Sequence, residues 1–360
     1  MGKRLQVGII GQGRSGKNIH ADTLSRLPDK FRIAAVADPL EDRRQRAKEE
    51  FGCDTYADYR EMIERTDLDF VVNTTPSHLH VPVSLELLQK GQHVLCEKPL
   101  ARTAAEVDRL TDVSRETGKR LYVFQQSRFA PAYKRIRELI DSGTIGRVVR
   151  VDIAYNNFAR RWDWQTLREF NGGNLYNTGP HPVDQALRFL DADGMPQVMC
   201  AMDRANTSGD AEDFVQLMLR ASGRPVVNVE ISSCCVYPGS TYSIQGTLGG
   251  IRGSFTSLEW KYFKPEENEK QELITTPYVD ENGMPAYCRE ELRWHEGSWT
   301  FASEDGLGHF DAMCKEYYER LHAHLTAGAP LGVTLEQVRQ QIAVMEECVR
   351  QNEEALSGSR

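Results

Sequence analysis

The chain has no unbroken apolar run near the roughly 20 residues that a membrane-spanning helix requires, so no bilayer partner is expected. Its N-terminus, MGKRLQVGII, carries basic residues, but the apolar run is too short for a signal peptide, and a cytoplasmic location follows as the expectation. A basic surplus is missing too: 44 Lys and Arg stand against 52 Asp and Glu, for a net charge of −8. Phosphate backbones need the opposite balance, which argues against nucleic acid and leaves a small polar molecule as the partner. The eight cysteines show no C-x-x-C pair and no regular framework, so they read as reduced, small core residues. No His, Asp or Glu set has metal-ligand spacing, and no metal is expected. Repeats, low-complexity tracts and flexible linkers are also lacking. With 360 residues, the chain exceeds one ordinary core and calls for two domains.

Two periodicities divide it. Up to about residue 124, short β-branched runs (5–10, 33–38, 70–75, 93–98, 121–126) alternate with helix-like stretches (39–51, 57–65, 80–90, 103–117). That alternation predicts an α/β fold with a Rossmann-type, doubly wound parallel sheet over residues 1–124. Gly118 is the expected cap of the last of these helices. From about residue 145 the runs 146–158, 198–205, 213–221, 225–235, 241–247 and 249–257 alternate apolar and polar residues between Gly-containing turns. This predicts a C-terminal α+β domain, 125–360, with a large, mainly antiparallel sheet. Helices near 309–327 and 334–355 close the chain.

The stretch LQVGIIGQGRSGKNIH puts Gly11, Gly13 and Gly16 in a G-x-G-x-x-G spacing, after a strand and at the start of a helix. The three glycines serve a tight turn, a close approach to a pyrophosphate and helix–strand packing. The helix N-terminus adds free N–H groups and a positive dipole end for phosphate. Asp38 ends the second strand, where a carboxylate accepts hydrogen bonds from ribose hydroxyls and repels a 2′-phosphate. NAD is therefore the expected cofactor, ahead of NADP. Arg43 and Arg44 read as part of a solvated helix face.

CEKPLA, residues 96–101, falls at the carboxyl end of a strand, where open α/β sheets bind ligands. Pro99 can fix a tight turn that aims Lys98 across the crevice, although a surface lysine before a turn is an equal reading of that residue alone. NTTPSHLH places Asn73, Thr75, Pro76, His78 and His80 along the same sheet edge, with His80 also suited to starting a helix.

In GIIGQGRSG, VADP, TTPSHLH, CEKPLA and GGNLYNTGPHPVD, taken in that order, the chain resembles the Gfo/Idh/MocA family of NAD(P)-dependent sugar and polyol dehydrogenases over essentially its full length. The resemblance implies a homodimer or homotetramer built on the second domain's sheet. It implies that Lys98 touches the reacting hydroxyl and the nicotinamide ribose, and that His181 is the general base. The expected cofactor contacts are Gly11, Gln12, Gly13, Arg14, Ser15, Gly16, Asp38, Thr74, Thr75, Pro76, His78, His80, Glu97 and Lys98. The chemistry agrees: alcohol oxidation needs a group to take the hydroxyl proton, and a histidine suits that task. A neighbouring ammonium stabilises the developing alkoxide. Asn177 stands where the family usually has Asp, so the base lacks a carboxylate at that position, and Asp184 on the same helical face is a candidate to supply one. Asn177 completes the expected catalytic set with Lys98 and His181. Substrate contacts are expected from Lys98, Arg161, Trp162, Asn177, His181 and Asp184, since aromatic faces stack on sugar rings and Arg donates to hydroxyls or carboxylates. Arg128 falls near the domain junction, where an ion pair and a substrate contact are equal readings, and nothing fixes His295 to the site.

The leading expectation is an NAD-dependent dehydrogenase acting on a secondary hydroxyl of a sugar, polyol or glycoside. Two alternatives stand beside it: a glycosidase that retains NAD through transient oxidation and elimination, and a non-catalytic NAD-binding regulator.

Overall fold

The computed structural model describes residues 3–303 and 305–354. Six parallel strands form the first sheet, most of them short apolar runs buried on both faces. These are β1 Leu5–Ile10, β2 Phe31–Ala37, β3 Asp54–Tyr56, β4 Phe70–Asn73, β5 Val94–Cys96 and β6 Leu121–Val123, arranged 3-2-1-4-5-6. Strand order reverses between β1 and β4, so their carboxyl ends open a crevice of the kind that binds dinucleotides. Among the connecting helices, Ala104–Thr117 begins with a reciprocal Thr103–Glu106 capping box and stops at Gly118, whose φ of 66° is the left-handed cap that the sequence predicts.

The second sheet has eight strands: β7 Val148–Asn156, β8 Gln197–Asp203, β9 Phe214–Arg220, β10 Val226–Ser232, β11 Tyr242–Gly246, β12 Gly249–Gly253, β13 Ser257–Phe263 and β14 Trp294–Thr300. Their order is 14-13-12-11-7-10-9-8, and every pair is antiparallel except β7 with β10. Alternation buries Val215, Leu217 and Leu219 on one face of β9. The helix Pro180–Leu190 packs on β7 and β10, with Val183, Ala186 and Leu187 buried, while Leu335–Gln351 packs on β8.

The expected α/β architecture with two sheets is present. Details differ where the apolar pattern is weak. The expected strand 249–257 is two strands, because the chain reverses after Gly253, with Ser254 N–H donating to Ser257 C=O at 2.7 Å. β3 and β14 are edge strands with few buried positions, and neither is signalled by apolar alternation. Within 57–65 the helix covers only Tyr59–Met62. The final helix is Leu335–Gln351, and residue 355 lies outside the described residues.

The two closing helices return to the first sheet. Tyr317 donates to Val123 C=O at 2.8 Å, Tyr318 meets His20 at 2.6 Å, and Ala104 N–H donates to Glu346 at 2.9 Å. Among the described residues, no helix is long and apolar enough to cross a membrane.

Candidate active site

At the end of β1 the chain turns through Gly11–Gly16 into the helix Gly16–Ala21. Gly16 is obligatory for close approach: a Cβ there would lie 2.0 Å from Gly11 O and 2.7 Å from Thr74 Oγ1. Above Gly13 the space is open, with only Arg43 Nη1 within reach, at 3.6 Å. A bare turn, an open face and a helix N-terminus behind it fit a pyrophosphate. Asp38 is buried. Its Oδ2 accepts from Gln12 N–H at 2.7 Å and its Oδ1 from Leu40 N–H at 2.9 Å, while Arg43 lies 3.3 Å away. Arg44 and Arg46 also turn inward, donating to the carbonyls of Asp38 and Gln12 at 2.8 and 3.0 Å. Arg43 and Arg44, read from the sequence as part of a solvated helix face, are thus partly buried against Asp38.

The strand-end residues divide by role. Thr74 donates to Ile10 C=O at 2.7 Å and seats the glycine turn, while Thr75 is held by Asn73 at 2.7 Å. Pro76 and Arg14 are exposed, and Ser15 is partly buried. His78 packs its ring 4.9 Å from Phe170 of the second half, with its Nδ1 buried and unpartnered. His80 is buried and spans two loops, with Nδ1 2.7 Å from Pro99 O and Nε2 2.8 Å from Thr75 O. Its polar atoms are spent inside the protein, so it ties the Thr75–Pro76 turn to the lysine turn. Glu97 is likewise internal: Oε1 lies 3.1 Å from His20 Nε2 and Oε2 accepts Lys98 N–H at 2.9 Å. Burial alone would raise the Glu97 carboxyl, but the His20 bond and the surrounding positive groups outweigh it and bring it to about 2.

Lys98 follows, with a cis peptide to Pro99. Its Nζ reaches across to the second half and donates to the main-chain carbonyl of Asn177 at 2.8 Å. Burial lowers its pKa, Arg14 adds to that, and Glu97 opposes it.

His181 sits in the first turn of Pro180–Leu190, two side chains lock that turn, and a third ties down the helix behind it. Gln125 (2.7 Å) and Gln341 both donate to Pro180 C=O, and Gln185 bridges Ser127 C=O (2.8 Å) and Tyr242 OH (2.9 Å). The imidazole is half-buried, and its Nδ1 is enclosed without a partner. Burial first, and the Lys98 charge second, push its pKa down to about 3, so it is neutral at physiological pH.

Asp184 does not supply the carboxylate missing at 177. It is 1 % exposed, and both its oxygens are bound by Arg128, with Nε–Oδ2 at 2.9 Å and Nη2 on Oδ1. Arg128 thus makes the structural ion pair, and one helical face does not bring Asp184 to the base. The Asn177 amide oxygen instead accepts weakly from Gln165 at 3.4 Å. Arg161 is paired with Asp163 (2.7 Å) and Gln165 (2.5 Å), beside Asn177, whereas Trp162 is 81 % exposed. His295 is paired with Glu267 at 2.8 Å on the far edge of the second sheet.

Two groups escaped sequence reasoning. His20 was legible only as lying one helical turn past Gly16. Glu212 carried a better signal, as one of two adjacent acids entering an apolar strand in AEDFVQLML. It lines a narrow pocket together with Asn177, Arg161 and Gln165. Among the described residues no group of His, Cys, Asp and Glu could hold a metal.

Family comparison matches residues 5–125 to the oxidoreductase family with an NAD-binding Rossmann fold, and residues 133–252 to the GFO/IDH/MocA C-terminal domain. The chain is 26% identical to scyllo-inositol 2-dehydrogenase (NADP(+)) IolW of Bacillus subtilis, over 97% of its own length and 94% of that protein's. It is 28% identical to 2,7-anhydro-N-acetylneuraminate hydratase of Mediterraneibacter gnavus, over 69% and 67% of the two lengths. The fold matches that of the WlbA dehydrogenase of Bordetella pertussis, solved with NADH and UDP-GlcNAcA, with a TM-score of 0.73, 20% identity and coverage of 97% and 96%. A glycine-turn crevice joined to a lysine–histidine cleft, and family matches spanning both halves, lead to one assignment: the chain is an oxidoreductase of the Gfo/Idh/MocA family.

Proposed function

We propose that the protein is a nicotinamide-dependent dehydrogenase that oxidises a secondary hydroxyl of a sugar or polyol. Its nucleotide-binding part would span residues 1–124 and its substrate part 125–360. The observation that carries this reading is the Lys98 ammonium, projected from the first sheet onto the Asn177 carbonyl, next to a neutral His181. The glycine turn, Asp38, Thr74 and Thr75 would hold the cofactor, which when bound accepts the hydride. Arg43 beside Asp38 supports acceptance of NADP as well as NAD, with NAD preferred through the carboxylate. His181, uncharged, takes the hydroxyl proton. Lys98 donates to the same oxygen as negative charge develops, and its Asn177 bond keeps the ammonium aimed at the cleft. Arg161 and the exposed Trp162 would flank the substrate.

The test is reduced-cofactor absorbance with NAD or NADP over a panel of inositols, sugars and glycosides. Wild-type protein turns over at least one, and Lys98→Ala lowers kcat by about 10²–10³, as for loss of a preorganised donor to a developing oxyanion. No turnover of any member with either cofactor would sink the reading. The hydratase relative favours a second possibility, in which the cofactor is retained and reduced only transiently. It predicts product without net NADH, so both products should be measured.

A further inference from the structure

Lys98 depends for its aim on one carbonyl, and the turn that presents this carbonyl rests on a buried acid. Gly173 has φ of 97°, and a Cβ there would lie 2.4 and 2.5 Å from the two carboxyl oxygens of Glu212. Glu212 Oε1 accepts Leu175 N–H at 2.8 Å, and its main-chain carbonyl accepts Asn174 N–H at 2.9 Å. Asn177 N–H closes the turn on Gly173 C=O at 2.9 Å, and Asn177 C=O then receives Lys98 Nζ. Acid, turn, carbonyl and ammonium form one continuous chain of contacts.

We propose that Glu212 is a positioning residue for the reaction, holding the Gly173–Asn177 turn under Lys98 when ionised and loosening it when protonated. The inference rests on the dehydrogenase reading given above. An ionised acceptor binds Leu175 N–H through a charge-assisted bond about twice as strong as a neutral one. Burial raises the Glu212 carboxyl to about 7, so the change falls within the working range of pH. The charged and titratable groups around it are few. Asp213 next in sequence raises it further but is itself held by the N–H groups of Ala205, Asn206 and Thr207. Arg168 lowers it, Tyr176 lies beyond Leu175, and Arg161 across the cavity is committed to Asp163. His181 stays neutral over the same range, so it is not the source of a transition near 7.

The experiment measures kcat against pH for wild type and Glu212→Gln, with scyllo-inositol and NAD or NADP as probes. Alongside it, the Lys98 signal in protein carrying ¹³C-labelled lysine is titrated, assigned by its loss in Lys98→Arg. Wild-type kcat should fall through a midpoint near 7 and level off at the lower activity of the protonated form, as for one ionisation that tunes the site. Glu212→Gln keeps an acceptor for Leu175 and should abolish that limb, leaving kcat flat near the wild-type low-pH level. The Lys98 signal should step near pH 7 in wild type and not in the variant. If Glu212→Gln fails to fold, the wild-type Lys98 titration decides alone. A Lys98 signal that does not change between pH 6 and 8, or a limb that survives in Glu212→Gln, overturns the proposal. A Lys98 step without any substrate turnover would instead overturn the dehydrogenase reading and leave the coupling standing.

Discussion

Replacing Asp184 with Asn separates a structural role from a catalytic one. The Arg128–Asp184 pair is 9 % and 1 % exposed, and Arg128 also donates to Gly332 C=O and Gln337. Asp184→Asn leaves the guanidinium buried without its counter-charge, and breaking a buried pair in this way costs about 3–5 kcal/mol. Folded domains have only about 5–15 kcal/mol to lose. With a urea slope of about 3 kcal/mol/M, the unfolding midpoint should drop by about 1 M or more. Turnover per folded molecule and the shape of its pH profile should stay within about threefold of wild type, because no contact links Asp184 to His181 and surviving folded molecules keep the same site. The double replacement Arg128→Met/Asp184→Leu should recover most of the lost stability, since apolar isosteres often match a buried pair. Urea denaturation and steady-state kinetics at several pH values supply both readouts. An unchanged midpoint with a hundredfold loss of kcat would refute the argument and return Asp184 to the catalytic base.

Two further outcomes follow from the crevice and from position 177. Gly16→Ala forces a methyl group to 2.0 Å from Gly11 O, so the turn must open, and affinity for NAD and NADP by calorimetry should fall at least about tenfold; unchanged affinity would place the phosphates elsewhere. Asn177→Asp adds a carboxylate near a histidine held at about 3, which favours the imidazolium and should move the acid limb of kcat/KM upward from that value. A limb that stays in place would mean that residue 177 does not couple to the base.

The central architecture was legible because its signals are local. Glycines at fixed offsets, β-branched runs and a switch from helix-length to alternating patterns announce the two sheets before any long-range contact forms. Lys98 and His181 were also legible as candidates, since each lies at the end of a regular element. What the pattern did not carry was partner choice. Helical spacing puts Asp184 on one face with His181, but rotamer and packing give its carboxylate to Arg128, 56 residues earlier in the chain. Likewise Glu97 and His80 lie at the correct sheet edge, yet their polar atoms point inward to His20, Pro99 and Thr75. Glu212 comes to the Gly173 turn only through the pairing of distant segments, which neither segment encodes alone.

The return of the last two helices to the first sheet bears on how the chain is made. The glycine turn and β1 leave the ribosome well before the closing helices, so His20 waits for Tyr318, and Val123 for Tyr317, about 200 to 300 residues later. Until those tyrosines arrive, the nucleotide half exposes the apolar faces that they cover. Contacts of such separation form late and slowly. Completion of the first half's core during synthesis would therefore wait for the helix His309–Ala327.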